Sequence, residues 1–313
     1  MQHVTVEKAR RKNTIFLSLK LIASALLIFL LVINLFPVKQ IKQKSFFNHN
    51  RPMVIAHQGG ELLAPSNTMA AFQNAANMGV DVLETDIHIT KDGHLVAIHD
   101  ASVDRTTNGK GQVEDLTLAE IQELDAAGYH FKNLEGNHNF RGKGVYIPTV
   151  KEMFQTFNHM KIEIEIKDDN PPERIEEIAS KLWNLIEEYQ MEEKILIGSF
   201  DQEILKTFDK YAKGRVALSA GRQEVKNFVI THKFLLRNLY VPKVDAFQIP
   251  VEDSGFDLTD QRLIDGAHRL GMEIHYWTID DPDTMEKLID AGADGILTNR
   301  PDLLHNLIEE KGF

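Results

Sequence analysis

Residues 82–100 read VLETDIHITKDGHLVAIHD, an apolar strand pattern that carries acidic and imidazole side chains at its ends. A shorter apolar run, residues 54–56, ends on His57 in the same way. Two imidazoles, His57 and His99, and two carboxylates, Glu84 and Asp86, are thereby gathered at strand ends. Such a set can bind a divalent cation and transfer protons beside it. The pattern indicates metal-assisted phosphodiester chemistry more than a binding role.

Outward from this stretch, short apolar runs alternate with amphipathic helical patterns. The runs that predict strands are Met53–Ala56, Val82–Ile87, Ile162–Ile166, Ile195–Ser199, Val216–Leu218, Ala246–Ile249, Glu273–Thr278 and Gly295–Thr298. Helical patterns lie between them at Thr68–Met78, Pro172–Tyr189, Gln202–Tyr211, Asp260–Leu270 and Pro282–Ala291. Eight strands alternating with helices over about 260 residues predict an α/β fold, the closed (β/α)8 or TIM barrel. A doubly wound open sheet is the alternative, although no Gly-x-Gly-x-x-Gly follows the first strand.

In such a barrel, functional side chains lie at the carboxyl ends of the strands. Glu84 and Asp86 are two positions apart on one strand face, where they repel each other unless a cation lies between them. Glu163, Glu165 and Lys167 alternate in the same way along another strand, and a polar face inside a barrel needs partners. This favours Glu165 as a metal ligand and Lys167 as a phosphate partner. An exposed Glu–Lys edge pair is the alternative.

Further side chains are predicted around the same mouth. Trp277 and Thr278 close the seventh predicted strand, and Asn299 and Arg300 follow the eighth. The polar segment Tyr129–Gly144, with its glycines and aromatic residues, is long enough to form a rim or lid.

The dipeptide Asp92-Gly93 predicts a hairpin after the second strand. A two-residue turn at this place would pair Asp86 with His99. Residues 95–99 would then form an extra antiparallel strand beside the barrel. The expected register puts His99 next to a metal ligand.

The first 51 residues differ from the rest in charge. They contain nine Lys and Arg residues and a single acid, Glu7, whereas the remainder contains 26 basic and 45 acidic residues. The net negative charge of residues 52–313 argues against nucleic acid as a partner, because a phosphate backbone requires a basic surface. The chain has no cysteine, which excludes disulfides and thiolate zinc sites.

Residues 15–38 are almost wholly apolar and have basic residues on both sides. With Lys20 reaching toward the headgroups, they approach the roughly 20 residues that cross a bilayer. A cleaved signal peptide is disfavoured because the sequence has no convincing cleavage site after this stretch. A buried globular helix is disfavoured because the stretch is not amphipathic. We predict a basic tail (1–14), a single-pass signal anchor in the cell membrane (15–38), a juxtamembrane linker (39–51) and a catalytic domain (52–313). The charge bias favours a catalytic domain on the extracytoplasmic side.

Short motifs follow one another through the catalytic domain. They are His57-Gln58-Gly59, Pro65-Ser66-Asn67-Thr68, Glu84-Thr85-Asp86, Thr90-Lys91-Asp92-Gly93, His99-Asp100, Asp104-Arg105-Thr106-Thr107-Asn108-Gly109, Ile147-Pro148-Thr149, Glu165-Ile166-Lys167, Trp277-Thr278 and Asp294-Gly295-Ile296. In this order they resemble the glycerophosphodiester phosphodiesterase family over nearly all of residues 52–305. Each motif alone is weak, but the ordered set is specific.

The resemblance implies a TIM barrel that hydrolyses glycerophosphodiesters to glycerol 3-phosphate and an alcohol. It implies three ligands for Mg²⁺ or Ca²⁺: Glu84, Asp86 and Glu165. It implies His57 and His99 as the acid–base pair. The side chains expected to contact the phosphodiester are Lys167, Gln58 and Trp277.

Two positions depart from the family pattern. Gln58 stands where an arginine is expected near the phosphate, and Ser66 where a glutamate is expected near the mouth. Losing one positive and one negative group can be compensating or can mark a changed substrate. Two other hypotheses therefore stay open. One is lysophospholipase-D-like activity, favoured if the anchor holds the mouth near the bilayer, and the other is a catalytically weak barrel that binds phosphodiesters.

Overall fold

The chain forms a closed barrel of parallel strands, seen in a computed structural model that describes residues 2–35, 37–127 and 131–313, with side chains from residue 13 onward. The strands are β1 (Met53–Ala56), β2 (Val82–Ile89), β3 (Leu95–Ala97), β4 (Lys161–Ile166), β5 (Ile195–Gly198), β6 (Ala217–Leu218), β7 (Ala246–Ile249), β8 (Glu252–Asp253), β9 (Phe256–Asp257), β10 (Glu273–Tyr276) and β11 (Gly295–Thr298). Eight are neighbours in the order β6-β5-β4-β2-β1-β11-β10-β7, and a parallel bridge between Ser219 and Ala246 closes the ring. The predicted (β/α)8 barrel is confirmed.

Helix α1 precedes the barrel, and the other helices lie between or after the strands and pack on the outer face of the barrel. They are α1 (Gln2–Leu35), α2 (Met69–Asn77), α3 (Leu118–Gln122), α4 (Val150–Phe157), α5 (Ile175–Glu188), α6 (Gln202–Ala212), α7 (Arg222–Lys233), α8 (Gln261–Arg269), α9 (Pro282–Ala291) and α10 (Pro301–Glu310). The five predicted helices are α2, α5, α6, α8 and α9. Thr68 and Asp281 begin two of them by accepting hydrogen bonds from the first turn. Apolar faces of helices and strands pack into one core outside the sheet.

The predicted hairpin after β2 is present, but its register differs from the prediction by one residue. Asp86 lies beside Ile98, whose N–H donates to the Asp86 carbonyl at 2.9 Å, and not opposite His99. The loop contains three residues, 91–93, and ends on Gly93 with φ of +85°. A left-handed third residue is typical of three-residue hairpin loops, which shift the pairing by one. His99 follows the end of β3 and still reaches the mouth.

Helix α1 contains the predicted apolar segment. Residues Asn13–Leu35 contain an 18-residue stretch with a mean hydropathy of 2.7 and are long and apolar enough to cross a membrane, by length and composition alone. Their large apolar side chains are exposed. The described helix extends to Leu35, and residues 37 and 38 are not helical. Phe36 lies outside the described residues.

The segment predicted to be a polar linker, residues 39–51, is instead packed against the amino-terminal end of the barrel. Phe46 and Phe47 are 1% and 2% exposed. They pack in one apolar cluster with residues at the beginning of several strands, including Met53 and Ala246. A closed barrel fills its interior with side chains, and these two rings close the lower end that short strands leave open.

Polar contacts also hold this segment on the barrel. Together with residue 38 it is named here the basal plug (residues 38–51). Lys44 Nζ lies 2.8 Å from Asp245 Oδ2, and His49 Nε2 lies 2.8 Å from Glu273 Oε1. The packed domain therefore begins near residue 38 rather than at 52. The sequence did not indicate this packing, because two aromatic residues within a basic stretch form no periodic apolar pattern.

Removing one ring from the basal plug tests its contribution to stability. Phe47→Ala is expected to lower the free energy of unfolding by about 3–5 kcal/mol, because the buried ring leaves a cavity. Guanidinium unfolding of the detergent-solubilised chain, followed by tryptophan fluorescence, measures the change. Phe256→Ala removes a ring that is 49% exposed and serves as the control. Equal destabilisation by the two variants would contradict a structural role for the plug.

Candidate active site

A cavity of about 210 Å³ opens at the carboxyl ends of the strands. Its lining brings together seven predicted site residues: His57, Glu84, Asp86, His99, Glu165, Lys167 and Trp277. The eighth, Gln58, is buried beside His57 rather than in the lining. The barrel thus gathers at one mouth side chains that lie as far apart as residues 57 and 277.

A chain of hydrogen bonds holds His57 at the end of β1. Its Nδ1 lies 2.7 Å from Asn299 Oδ1, and Asn299 Nδ2 donates to Asp280 Oδ2 at 2.9 Å. Because a carboxylate only accepts hydrogen bonds, Asp280 directs the amide oxygen toward His57. His57 Nδ1 therefore carries the hydrogen, and its Nε2 presents a lone pair. The sequence placed Asn299 at the mouth without indicating a role, and nothing in it marked Asp280.

An ionic arrangement holds His99. Its Nδ1 lies 2.8 Å from Asp100 Oδ1, and the Arg105 guanidinium donates to both Asp100 oxygens at 2.7 and 2.9 Å. The hydrogen bonds from Arg105 lower the pKa of Asp100 to about 2. An ionised carboxylate therefore stands beside the imidazole at neutral pH. Asp100 and Arg105 both lie in motifs visible in the sequence, but only the geometry shows what they do.

Carboxylates face one another on two neighbouring strands. In the parallel pair β2–β4, Glu84 lies beside Glu163 and Asp86 beside Glu165. Burial, and next the charge of Asp86, raises the pKa of Glu84 well above its usual range. Burial also raises the pKa of Glu163 and that of Glu165 to about 7. Charges so close destabilise one another unless a cation neutralises them.

Lys167 supplies positive charge to this group. Its Nζ lies 3.2 Å from Glu165 Oε1, 3.4 Å from Asp86 Oδ1 and 3.3 Å from His99 Nε2. Burial opposes its charged form, but the charges of Asp86 and Glu165 outweigh burial and raise the pKa of Lys167. One ammonium does not offset the four facing carboxylates. The group therefore has an excess of negative charge.

The donors suit a hard divalent cation in kind, because Mg²⁺ and Ca²⁺ prefer carboxylate oxygens. Glu163 Oε2 is also buried without a hydrogen-bond partner in the described part of the chain. Among the described residues, however, no three Asp, Glu or His side chains are already arranged around one point. Lys167 Nζ lies within 3.4 Å of an oxygen of both Asp86 and Glu165. The site fits a cation by donor chemistry and requires these side chains to rotate.

The two departures from the family pattern lie in different surroundings. Gln58 takes a left-handed φ of +52°, and its N–H donates to Glu84 Oε2 at 2.6 Å. Its Nε2 lies 3.4 Å from His57 Nε2. Ser66 lines a neighbouring cavity together with Arg105 and Glu61. Gln58 therefore contacts His57 and a carboxylate, whereas Ser66 lies nearer the outer rim.

Aromatic side chains form one wall of the cavity. Trp277 packs edge-on against Phe200, with ring centroids 5.6 Å apart, and the Arg222 guanidinium lies 4.4 Å from the centroid of Phe200. Sequence reasoning marked Trp277 but missed Phe200, because one apolar residue after a buried strand resembles core. The predicted rim Tyr129–Gly144 lies partly outside the described residues, since 128–130 are not described. The part from residue 131 onward is irregular and mostly exposed.

The raised carboxyl pKa values link the stability of the metal-free protein to pH. Glu165 has a pKa of about 7 in the fold against an ordinary value of 4.5. The folded chain therefore binds more protons between these values, and its stability falls as pH rises through that window. In EDTA, Glu165 should contribute a decrease on the order of 1–3 kcal/mol in the free energy of unfolding between about pH 5 and about pH 8.

Chemical unfolding at a series of pH values measures this decrease. Glu165→Gln should reduce the pH dependence, whereas Glu310→Gln, at an exposed position, should leave it unchanged. A Glu165→Gln variant with the pH dependence of the unsubstituted chain would show that this carboxyl group is not protonated in the fold.

Comparison with known proteins identifies the family. Residues 57–303 match the model of the glycerophosphoryl diester phosphodiesterase family. The chain is 35% identical over 262 residues to a glycerophosphodiester phosphodiesterase of Caldanaerobacter subterraneus subsp. tengcongensis, covering 84% of this chain and 100% of that one. It is 27% identical to lysophospholipase D GDPD1 of Mus musculus, covering 86% of this chain and 88% of that one.

A solved structure shows the same fold. It is an Oleispira antarctica phosphodiesterase in complex with sn-glycerol-3-phosphate, with a TM-score of 0.67 at 23% identity, covering 83% of this chain and 97% of that one. The family match and the 35% identical relative both extend over most of the chain. The chain therefore belongs to the glycerophosphoryl diester phosphodiesterase family and is a phosphoric diester hydrolase.

Proposed function

We propose that this chain hydrolyses glycerophosphodiesters to glycerol 3-phosphate and an alcohol, with His57 and His99 as the acid–base pair and a divalent cation as cofactor. One observation carries the proposal: both histidines line one cavity while a separate partner binds each Nδ1. Two proton carriers can then act on one substrate. The relative named glycerophosphodiester phosphodiesterase and the product bound in the Oleispira structure support this substrate class.

Hydrolysis requires a proton to leave the attacking oxygen and another to reach the departing oxygen. One histidine takes the first proton from a glycerol hydroxyl or from water, and the other donates a proton to the alcohol that leaves. Their supports differ, since an amide oxygen holds His57 and an ionised carboxylate holds His99. Asn299 and Asp100 are therefore positioning residues that keep each Nε2 directed at the substrate.

The proposed ligands of Mg²⁺ or Ca²⁺ are Glu84, Asp86 and Glu165. A bound cation would neutralise negative charge on the phosphoryl oxygens. Lys167 offers a second positive charge to the same oxygens once it is released from the carboxylates. Trp277 offers an apolar wall to the substrate, and Gln58 supports the site through its contacts with His57 and Glu84.

Lysophospholipase-D-like activity is the second candidate. The likeness to the mouse lysophospholipase D and the apolar helix α1 favour it. We infer that α1 crosses the cell membrane once and leaves the barrel on the extracytoplasmic side, because basic residues flank it on both sides and outnumber acids before it. The two activities differ in whether the substrate carries an acyl chain.

Assays with two substrates separate these activities. The detergent-solubilised chain is incubated with glycerophosphocholine and with lysophosphatidylcholine, with and without EDTA. We expect glycerol 3-phosphate from the first substrate, lost in EDTA. His57→Ala and His99→Ala should each lower kcat by about 10²–10⁴-fold, while the exposed His94→Ala leaves it unchanged. Choline release from the lysolipid alone would favour the second activity, and turnover of neither substrate would contradict both.

Cation binding has a readout that does not depend on turnover. At about pH 8, above the pKa of about 7 of Glu163 and Glu165, Mg²⁺ or Ca²⁺ should raise the unfolding temperature, since a ligand that binds only the folded state stabilises it. Asp86→Asn and Glu165→Gln should lose this stabilisation. Lys167→Met should retain it and lose activity. Scanning fluorimetry measures the shift, and an unchanged unfolding temperature with either cation would contradict the proposed ligands.

A further inference from the structure

A second cavity, of about 310 Å³, lies beside the mouth, and we name it the rim cavity. Two loops at the mouth and the described part of the segment predicted as a rim line it together. The side chains that matter here are Glu61, Ser66, Arg105, Phe131 and Lys132. No residue of the described chain lines both this cavity and the mouth cavity. The two are therefore neighbouring spaces with separate linings.

Short contacts connect the rim cavity with both histidines. The Arg105 guanidinium donates to Asp100, and Asp100 Oδ1 lies 2.8 Å from His99 Nδ1. The N–H of Glu61 donates to the carbonyl of His57 at 3.3 Å. Glu61 Oε1 in turn lies 3.5 Å from Arg105 Nη1. Under the proposed function one of these rings protonates the leaving oxygen, so the rest of the leaving alcohol lies close to the rim cavity.

The size of the mouth cavity supports a second binding space. The mouth cavity measures about 210 Å³, below the roughly 300–1,000 Å³ that is typical of small-molecule pockets. A glycerophosphodiester carries an alcohol on each side of its phosphate. The mouth cavity suits the phosphate and one of these alcohols, whereas the rim cavity is larger and offers space for the other.

We propose that the rim cavity holds the alcohol that leaves. We further propose that Ser66 makes this cavity select an uncharged, hydroxyl-bearing alcohol, such as glycerol, over a cationic one, such as choline. This selectivity rests on the proposed hydrolase function and specifies the substrate class of the same site.

The charges around the rim cavity balance one another. Asp100 neutralises Arg105 by accepting two hydrogen bonds from it. Of the described residues that line the cavity, Glu61 is the one acid, and Lys132 offsets it. A glutamate in place of Ser66, which the family pattern leads us to expect, would leave an excess negative charge that attracts a cation. The serine instead presents a hydroxyl that donates and accepts hydrogen bonds, as the hydroxyls of a polyol require.

The aromatic content of the rim cavity also disfavours choline. Proteins hold quaternary ammonium groups within cages of several aromatic faces. Among the described residues that line this cavity, Phe131 supplies one ring. That ring packs edge-on against Phe140, with centroids 5.6 Å apart. Lys132 follows Phe131 directly and repels a cation. A choline group therefore finds neither an aromatic cage nor an excess of negative charge.

Two diesters that differ only in the leaving alcohol measure the selectivity. The detergent-solubilised chain is assayed for glycerol 3-phosphate release from glycerophosphoglycerol and from glycerophosphocholine, and the two kcat/KM values are compared. We expect the unsubstituted chain to favour glycerophosphoglycerol several-fold. Ser66→Glu should lower this preference roughly 2–5-fold, the change that one exposed ion pair typically produces. Lys132→Met removes a repelling cation and should lower the preference in the same direction.

Two control variants separate charge from bulk and from position. Ser66→Gln adds similar bulk without charge, so it should change kcat/KM for both diesters by the same factor. Gln155→Glu adds the charge at an exposed position on α4 and should change neither value. Because the preference is a ratio of two activities of one sample, it does not depend on the fraction of a variant that folds.

Three other results would overturn the inference. An unsubstituted chain that favours glycerophosphocholine would contradict the proposed selectivity. A preference that neither Ser66→Glu nor Lys132→Met changes would show that the leaving alcohol does not occupy the rim cavity. Equal effects of Ser66→Gln and Ser66→Glu would show that bulk and not charge acts at this position. In each case hydrolysis of the diesters would still support the proposed function, whereas hydrolysis of neither would refute both.

Discussion

The repulsion among the carboxylates that β2 and β4 hold in register is the interaction on which the site depends. The pairing of Glu84 with Glu163 and of Asp86 with Glu165 follows from the barrel itself, because parallel neighbours bring equivalent positions side by side. Burial makes the repulsion expensive and raises the pKa of Glu84. A single ammonium, Lys167, offsets part of it. The excess negative charge is what makes the mouth suited to a cation and, through that cation, to a phosphodiester.

The histidines are positioned by residues outside this charged group. Asn299, backed by Asp280, orients His57 from the end of β11, while Asp100 orients His99 from the end of the hairpin. Each support belongs to a different strand end, so movement of one histidine need not disturb the other. Separate supports fix the orientation of each ring independently while both rings line the same cavity.

The barrel and most of the cavity lining could be predicted because both follow local rules. Apolar runs bounded by turn residues located the strands, and strand ends located the mouth. The predicted hairpin register was wrong because Asp92-Gly93 is compatible with loops of two and of three residues. Only the backbone conformation of Gly93 distinguishes the two loop lengths. The basal plug was not predicted because Phe46 and Phe47 are buried against the strands of the barrel and belong to no periodic apolar pattern in the sequence. The role of Asp280 could not be predicted, because it depends on a hydrogen bond from Asn299, which follows a different strand.

The two ends of the barrel divide the work of the chain. The mouth carries the charged groups, which oppose folding, and the base carries aromatic packing in the plug, which favours it. The N–H of Ile41 bonds the Leu270 carbonyl just before β10, so the chain that follows α1 enters the barrel at the packed end and not among the charged groups of the mouth.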